Sequence, residues 1–338
     1  MRITAMLAER RPVFSFEFFP PDTEVGTETL FRTIGELREL EPSFVSVTCR
    51  NHSRTRTLEL VTRIRELTGI EPMAHYTCAG ATLEELHSTL RSLREAGIDN
   101  VLALRGDPPQ GETAFRSVDG GLDHGSELAS MIRREYDFCI GGACYPEGHT
   151  ESVSLEEDLR HTVLKVESGV DFLITQLFFD NAAYVDFIAR ARAAGITVPI
   201  VPGIMPITSV RQLSRFEGSL FGARVPPRLR EALLRRSDDA DAVVQLGVAW
   251  ATLQCAELLA GGARPPPPLR AAAGAPLRLP TGTARRRHPG DQRQLAELRL
   301  PRRAARRSAA PARRRRPARP RPQQHHPAGH LRMAPPRA

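Results

Sequence analysis

Lysine is almost missing from this sequence: Lys165 is the only one among 47 basic residues. A chain that writes its cations as arginine and keeps one ammonium points to a need for a compact point charge there. Cysteine is also sparse. Cys49, Cys78, Cys139, Cys144 and Cys255 are odd in number and include no Cys-x-x-Cys pair. That excludes a disulfide framework and a zinc site of the usual spacing, and it predicts buried thiols. No uninterrupted apolar run reaches about 18 residues, so no membrane-spanning helix is expected. Met1 to Arg11 carry charges and no apolar signal core, so the expected location is the cytoplasm. There is no Walker-type phosphate loop and no Gly-x-Gly-x-x-Gly after the first predicted strand, which excludes the commonest nucleotide signatures. No His/Glu cluster has metal-ligand spacing, and no metal is predicted.

The 338 residues carry a formal charge of +8, but the sum hides two opposite halves. Arg264 to Ala338 holds 20 arginines and two acids, Asp291 and Glu297, a balance of +18, whereas the first 263 residues carry −10. The same segment holds 15 of the 28 prolines and no Phe, Tyr, Trp, Ile or Val. It cannot bury enough apolar surface to offset its ordering entropy. Residues 263–338 are therefore expected to be a disordered basic tail behind a folded unit over residues 1–262. A GC-rich reading frame shifted by one base would give this composition. The tail would attract phosphates by counterion release, but it lacks aromatics for base stacking, so no specific nucleic-acid partner is expected.

The folded part alternates short β-branched or aromatic runs with longer amphipathic stretches. Strands are predicted over Val13–Phe18, Phe44–Thr48, Glu71–Thr77, Asn100–Arg105, Asp137–Tyr145, Asp171–Gln176 and Val198–Gly203. Helices are predicted between them, over Glu28–Leu40, Thr55–Leu67, Leu83–Ala96, Gly125–Glu135, Leu155–Ser168 and Ala182–Ala194. Leu83, Leu86, Leu90 and Leu93 share one helical face. Gly69, Gly97, Gly169 and Gly195 stand where helix-ending glycines belong. Strand starts about 30 residues apart indicate a chain of βα units. The pattern is a parallel (β/α)8 TIM-type barrel. Pro227–Leu259 reads as two further helices, and the eighth strand that should follow is missing.

Barrel chemistry sits at the C-terminal strand ends. Those ends deliver Glu17, Thr48, His75, Arg105-Gly106-Asp107, Tyr145 with His149, and Gln176. Glu17 lies within the aromatic run Phe16 to Phe19. Burial there should raise its pKa and let it act as a general acid. Asp158, His161 and Lys165 share roughly one helical face, suited to a phosphate-bearing cofactor or to water.

The stretches Ser15–Pro21, Phe44–Thr48, Ala74–Cys78, Asn100–Pro109, Tyr145–His149, Phe172–Asp180, Val201–Pro206 and Gln254–Leu258 resemble, in this order, the bacterial single-domain 5,10-methylenetetrahydrofolate reductases. The resemblance covers about residues 10–262 and none of the tail. It implies FAD at the barrel mouth. NADH (or NADPH) would reduce the flavin and leave, and methylenetetrahydrofolate would then take the hydride, giving 5-methyltetrahydrofolate for methionine synthesis. It implies Glu17 as general acid, Asp107 as the residue that binds pterin and tunes the flavin, Gln176 as a folate hydrogen-bonder and Phe216 as an aromatic against substrate or nicotinamide. The implied FAD contacts are Thr48, His75, Arg105, Gly106, Asp107, Tyr145, His149, Asp158, His161 and Lys165, with His161 and Lys165 at the pyrophosphate or adenosine end. A homo-oligomer is also expected.

Three departures accompany the resemblance. The loop after the second strand reads Cys49-Arg50-Asn51-His52-Ser53 where small residues are usual. His124-Gly125 stands where the family has a flavin-contacting Tyr-Ala pair. The closing strand, of the type His-Phe-Tyr-Thr-Leu-Asn, is absent. The residues therefore also admit an impaired reductase-derived chain, or a pterin-binding barrel without flavin.

Overall fold

The computed structural model describes residues 1–9, 12–49, 53–107, 117–217 and 222–261. The expected tail, Arg50 to His52 and Pro108 to Arg116 lie outside the described residues.

Seven parallel strands form one sheet in chain order: β1 (Ser15–Phe18), β2 (Phe44–Val47), β3 (Pro72–Thr77), β4 (Asn100–Leu104), β5 (Cys139–Cys144), β6 (Phe172–Thr175) and β7 (Ile200–Val201). Among the described residues this is the architecture of a TIM-type barrel lacking its eighth strand. Among the described residues β1 and β7 are the two sheet edges. The strand at one edge is reduced to two residues, because Pro199 and Pro202 flank it and proline cannot donate to a ladder.

Helices α2 (Glu24–Leu37), α3 (Arg54–Thr68), α4 (Leu83–Glu95), α5 (Gly125–Glu135), α6 (Leu155–Glu167) and α7 (Asn181–Ala193) follow strands β1 to β6 in turn. Several starts have a local cause. Thr23 caps α2 through the Gly26 N–H, and Thr82 with Glu85 forms a full capping box on α4. Gly69, Gly97, Gly169 and Gly195 all take positive φ, as predicted for helix ends. On α4, Leu86, Leu90 and Leu93 are buried, but Leu83 at the first turn is exposed. It falls off the stripe that meets the sheet.

Two short helices had no periodicity to announce them. α1 (Ile3–Ala8) precedes β1 and plugs the N-terminal end of the barrel. Its Ile3 and Met6 join Phe44, Met73, Leu102, Cys139 and Phe172 in the inner core. The Ile3 N–H donates to the fully buried Asn100 side chain at 2.8 Å, and the Met1 amine pairs with Glu71 and Asp99. α8 (Val210–Phe216) follows β7, capped by Ser209 and Gln212.

α9 (Pro227–Leu234) and α10 (Ala240–Gly261) close the described chain, with bounds close to those predicted. α10 is long and apolar enough, by length and composition, to cross a membrane. The expectation that nothing would be rested on unbroken apolar runs, and Asp241, Gln245, Gln254 and Glu257 break this one. One face of α10 is docked: the Trp250 indole donates to Phe179 O at 3.0 Å, and Gln254 Nε2 donates to Phe178 O at 3.2 Å. Gly247 permits that approach, since a Cβ there would lie 1.8 Å from the Ile207 carbonyl oxygen.

All five cysteines are free thiols. Cys78, Cys139 and Cys144 are buried, and burial pushes the Cys144 thiol up to about 12.

Candidate cofactor cavity and carboxylate–imidazole pair

A cavity of about 330 Å³ opens where β4, β5, α5 and α6 meet, within the size range of small-ligand sites. Its lining includes Arg105, Tyr145, His149, Asp158, His161 and Lys165, six of the ten residues expected to hold FAD. His124, Ser126, Glu151, Ser152 and Glu157 also line it. Sequence reasoning had noted His124 only as a departure and had not singled out Glu151, which stands two residues past His149. The α6 cap offers the signal for it: Ser154 accepts from the Glu157 N–H, so residues 145–153 are the loop after β5 and belong to the barrel mouth.

Lys165 points inward. Its Nζ donates to Ala143 O on β5 at 2.9 Å and lies 5.4 Å from the centre of the Tyr145 ring. Burial lowers its pKa, and the Asp158 charge works against that. Burial raises the Asp158 carboxyl, opposed by Lys165. The two opposite charges lie along one face of α6 and favour one another without a direct ion pair, while His161 stays exposed at the rim. Burial also pushes the Tyr145 phenol up and holds His149 below its ordinary value. The His149 and Tyr145 rings meet edge to face at 4.6 Å.

Arg105 Nη1 and Nη2 donate to the two Glu151 oxygens at 2.7 Å each, a bidentate pair. That bond, helped by the Arg105 charge and against the effect of burial, holds the Glu151 carboxyl below the usual range. The backbone turns sharply after Arg105. Gly106 has φ +93, and a Cβ there would lie 2.9 Å from the Ala79 Cβ. Asp107, next in the chain, is exposed.

A second group lies on the inner sheet face. Glu17 pairs in register with Ser46, and its Oε2 lies 3.3 Å from His75 Nε2. The expected rise of the Glu17 pKa is not found. Burial does push the carboxyl up, but the neighbouring His75 outweighs it, and the net direction is down. Strand alternation explains the difference. Phe16 and Phe18 turn to the outer layer, where they pack under the helices, and the Glu17 side chain is 50% exposed on the other face. Beside this pair, Thr48 Oγ1 is buried with no hydrogen-bond partner among the described residues, and His75 Nε2 is buried with Glu17 as its neighbour. Thr77 Oγ1 donates to Cys49 Sγ at 3.4 Å.

Two expected substrate residues are placed differently. Gln176 Oε1 accepts the Leu177 N–H at 2.9 Å, at the end of β6. Phe216 is buried at the end of α8 with Phe179 (centroids 5.4 Å apart), Leu213 and Val243. Its ring here serves packing.

Comparisons with known proteins bear on this arrangement. The family model described as Methylenetetrahydrofolate reductase matches residues 2–265. The Methylenetetrahydrofolate reductase (NADH) 1 of Arabidopsis thaliana is 37% identical over 274 residues, covering 77% of this chain and 46% of that protein. The 5,10-methylenetetrahydrofolate reductase of Escherichia coli K12 is 38% identical over 229 residues, covering 67% of this chain and 75% of that protein. The chain thus spans less than half the length of its plant relatives. A Clostridium thermocellum protein, described as binding two copies of 5-methyl-5,6,7,8-tetrahydrofolic acid, superposes with a TM-score of 0.52 at 17% identity, covering 78% of this chain and 90% of that one. At that identity the likeness is one of fold. With the family match covering most of its length, the chain belongs to the methylenetetrahydrofolate reductase family.

Proposed function

We propose that the chain reduces 5,10-methylenetetrahydrofolate to 5-methyltetrahydrofolate with FAD as resident cofactor and NADH as donor, a step that supplies methyl groups for methionine synthesis. The observation that carries this reading is the cavity in which Arg105 and Lys165 meet Tyr145 and His149 at the C-terminal strand ends. The residues present fit a flavin dinucleotide. Arg105 and Lys165 suit the phosphates, and Thr48 Oγ1, buried with no hydrogen-bond partner among the described residues, offers a group for the polar ring end. FAD, when bound, supplies two-electron hydride relay between nicotinamide and folate. The names of the plant relatives, which specify NADH, favour that donor.

The chain's own residues then have separate tasks. Lys165 and Arg105 hold the anionic end against the cavity wall. Glu17 delivers the proton that opens the folate's five-membered ring. In the open site its carboxyl is ionised beside His75. A folate covering this half-exposed carboxyl removes its water and drives the pKa back up, so that the proton is loaded as the substrate docks. Asp107, exposed at the turn after β4, faces the pterin ring in this reading, and Gln176 must release the Leu177 N–H to reach the folate.

One observation favours a second reading, an impaired enzyme. Among the described residues β1 pairs with β2 alone, and Phe14 just before it is 50% exposed, which is a liability for a parallel sheet. Steady-state assays separate the two. NADH consumption that depends on both methylenetetrahydrofolate and FAD, with 5-methyltetrahydrofolate identified by mass, supports the first. A chain that binds FAD and makes no methylated product overturns it and supports the second.

A further inference from the structure

Glu151 is an anion in a cavity that, on the reading above, receives a ligand bearing a diphosphate. By charge alone it is out of place, and its contacts give the reason for it. Both its oxygens take the Arg105 guanidinium end-on, at 2.7 Å each. Its own N–H donates to His149 Nδ1 at 3.1 Å, and the His149 ring abuts Tyr145. A continuous series, Tyr145–His149–Glu151–Arg105, therefore links the end of β5 to the end of β4 around the cavity. The Arg105 backbone is fixed by the Gly106 turn, with Arg105 Nε donating to Gly106 O at 3.3 Å. What Glu151 adds is a hold on the two terminal nitrogens, Nη1 and Nη2.

We propose that Glu151 is a positioning residue: it holds the Arg105 guanidinium across the cavity so that Arg105 meets the diphosphate of the ligand. The inference rests on the FAD reading. Glu151 acts through Arg105 and gains nothing from the ligand directly. A planar bidentate fork locks a guanidinium in a way a single hydrogen bond does not. Removing the carboxylate withdraws the two bonds to the terminal nitrogens and loosens the angle at which the guanidinium faces the cavity.

A double-mutant cycle on the full chain tests this. FAD is titrated by quenching of its fluorescence into wild type, Glu151→Ala, Arg105→Ala and the double variant. Glu151→Ala should weaken binding about tenfold in the wild-type background and less than about twofold in the Arg105→Ala background. Glu151→Gln, which keeps the shape and one acceptor, should recover part of the loss. Equal losses in both backgrounds would mean a general structural role and overturn the proposal. Tighter binding in Glu151→Ala would overturn it too, because the carboxylate would then be a competitor for Arg105. The same cycle is run with inorganic pyrophosphate. Wild type that binds pyrophosphate but no FAD defeats the flavin reading and leaves the pyrophosphate cycle to decide Glu151. Wild type that binds neither overturns both.

Discussion

Glu17 Oε2 stands 3.3 Å from His75 Nε2 on the inner face of the sheet, a carboxylate on an edge strand beside a buried imidazole two strands away. The pair separates the two halves of the proposed reaction. Hydride transfer from NADH to flavin needs no proton from Glu17, and opening the folate ring does. Glu17→Gln should lower the folate half-reaction by about 10² to 10⁴, the range for loss of a general acid. NADH oxidation with a quinone acceptor should stay within about twofold. Rapid-mixing measurements of both halves check this, and equal loss in both would remove the proton-donor role.

Lys165→Met should weaken FAD binding about tenfold or more, since one of two fixed cavity cations is lost. It should also destabilise the chain, because the buried Asp158 would lose the favourable field of the Lys165 charge. Adding Asp158→Asn should restore much of the stability and none of the affinity. Urea midpoints and FAD titrations on the three variants separate the effects. Recovery of affinity in the double variant would contradict the ligand role of Lys165.

His149 gives a pH signature. Burial holds its folded pKa below the ordinary 6.5. As pH falls through that ordinary value, the unfolded chain takes up a proton that the folded chain refuses, so stability is lost on acidification. The loss continues until the lower folded pKa is reached, and above about pH 7.5 the group contributes no slope. His149→Gln keeps an acceptor for the Glu151 N–H and removes the titration. Its urea midpoint should fall less than that of wild type between about pH 8 and about pH 5. Parallel changes in the two proteins would contradict the assignment.

Gly247→Ala should be costly for a change of one methyl group. The new Cβ would overlap the Ile207 carbonyl and lift α10 from the residues that receive Trp250 and Gln254. A loss of about 1–3 kcal/mol is expected from such overpacking. Thermal unfolding of the variant checks it, and an unchanged midpoint would mean that α10 is not seated as described.

The sheet and its main helices were legible because apolar period and end signals agreed. Gly125–Glu135 was predicted to the residue, and Gly69, Gly97, Gly169 and Gly195 mark real helix ends. α1 was not legible: it has six residues and no capping side chain, and its burial is created by long-range contacts to Asn100 and Phe44. α8 was readable in principle from Ser209-x-x-Gln212. At the site, strand-end position identified Arg105, Tyr145 and His149 as cavity residues. The direction of the Glu17 pKa was not legible, because its neighbours in sequence are not its neighbours in space. In a strand, Phe16 and Phe18 face away from Glu17, and the residue that sets its charge is His75, 58 positions on. Glu151 escaped notice for the same reason: its partner Arg105 is 46 residues away.

The central claim is that this chain relays hydride through a bound flavin from NADH to methylenetetrahydrofolate. The visible absorbance of the FAD-loaded full chain, followed without oxygen, tests it most directly. NADH should bleach the oxidised flavin band, and methylenetetrahydrofolate added next should restore it, one equivalent for one. A band that NADH leaves unchanged, or that the folate fails to restore after bleaching, would contradict the account.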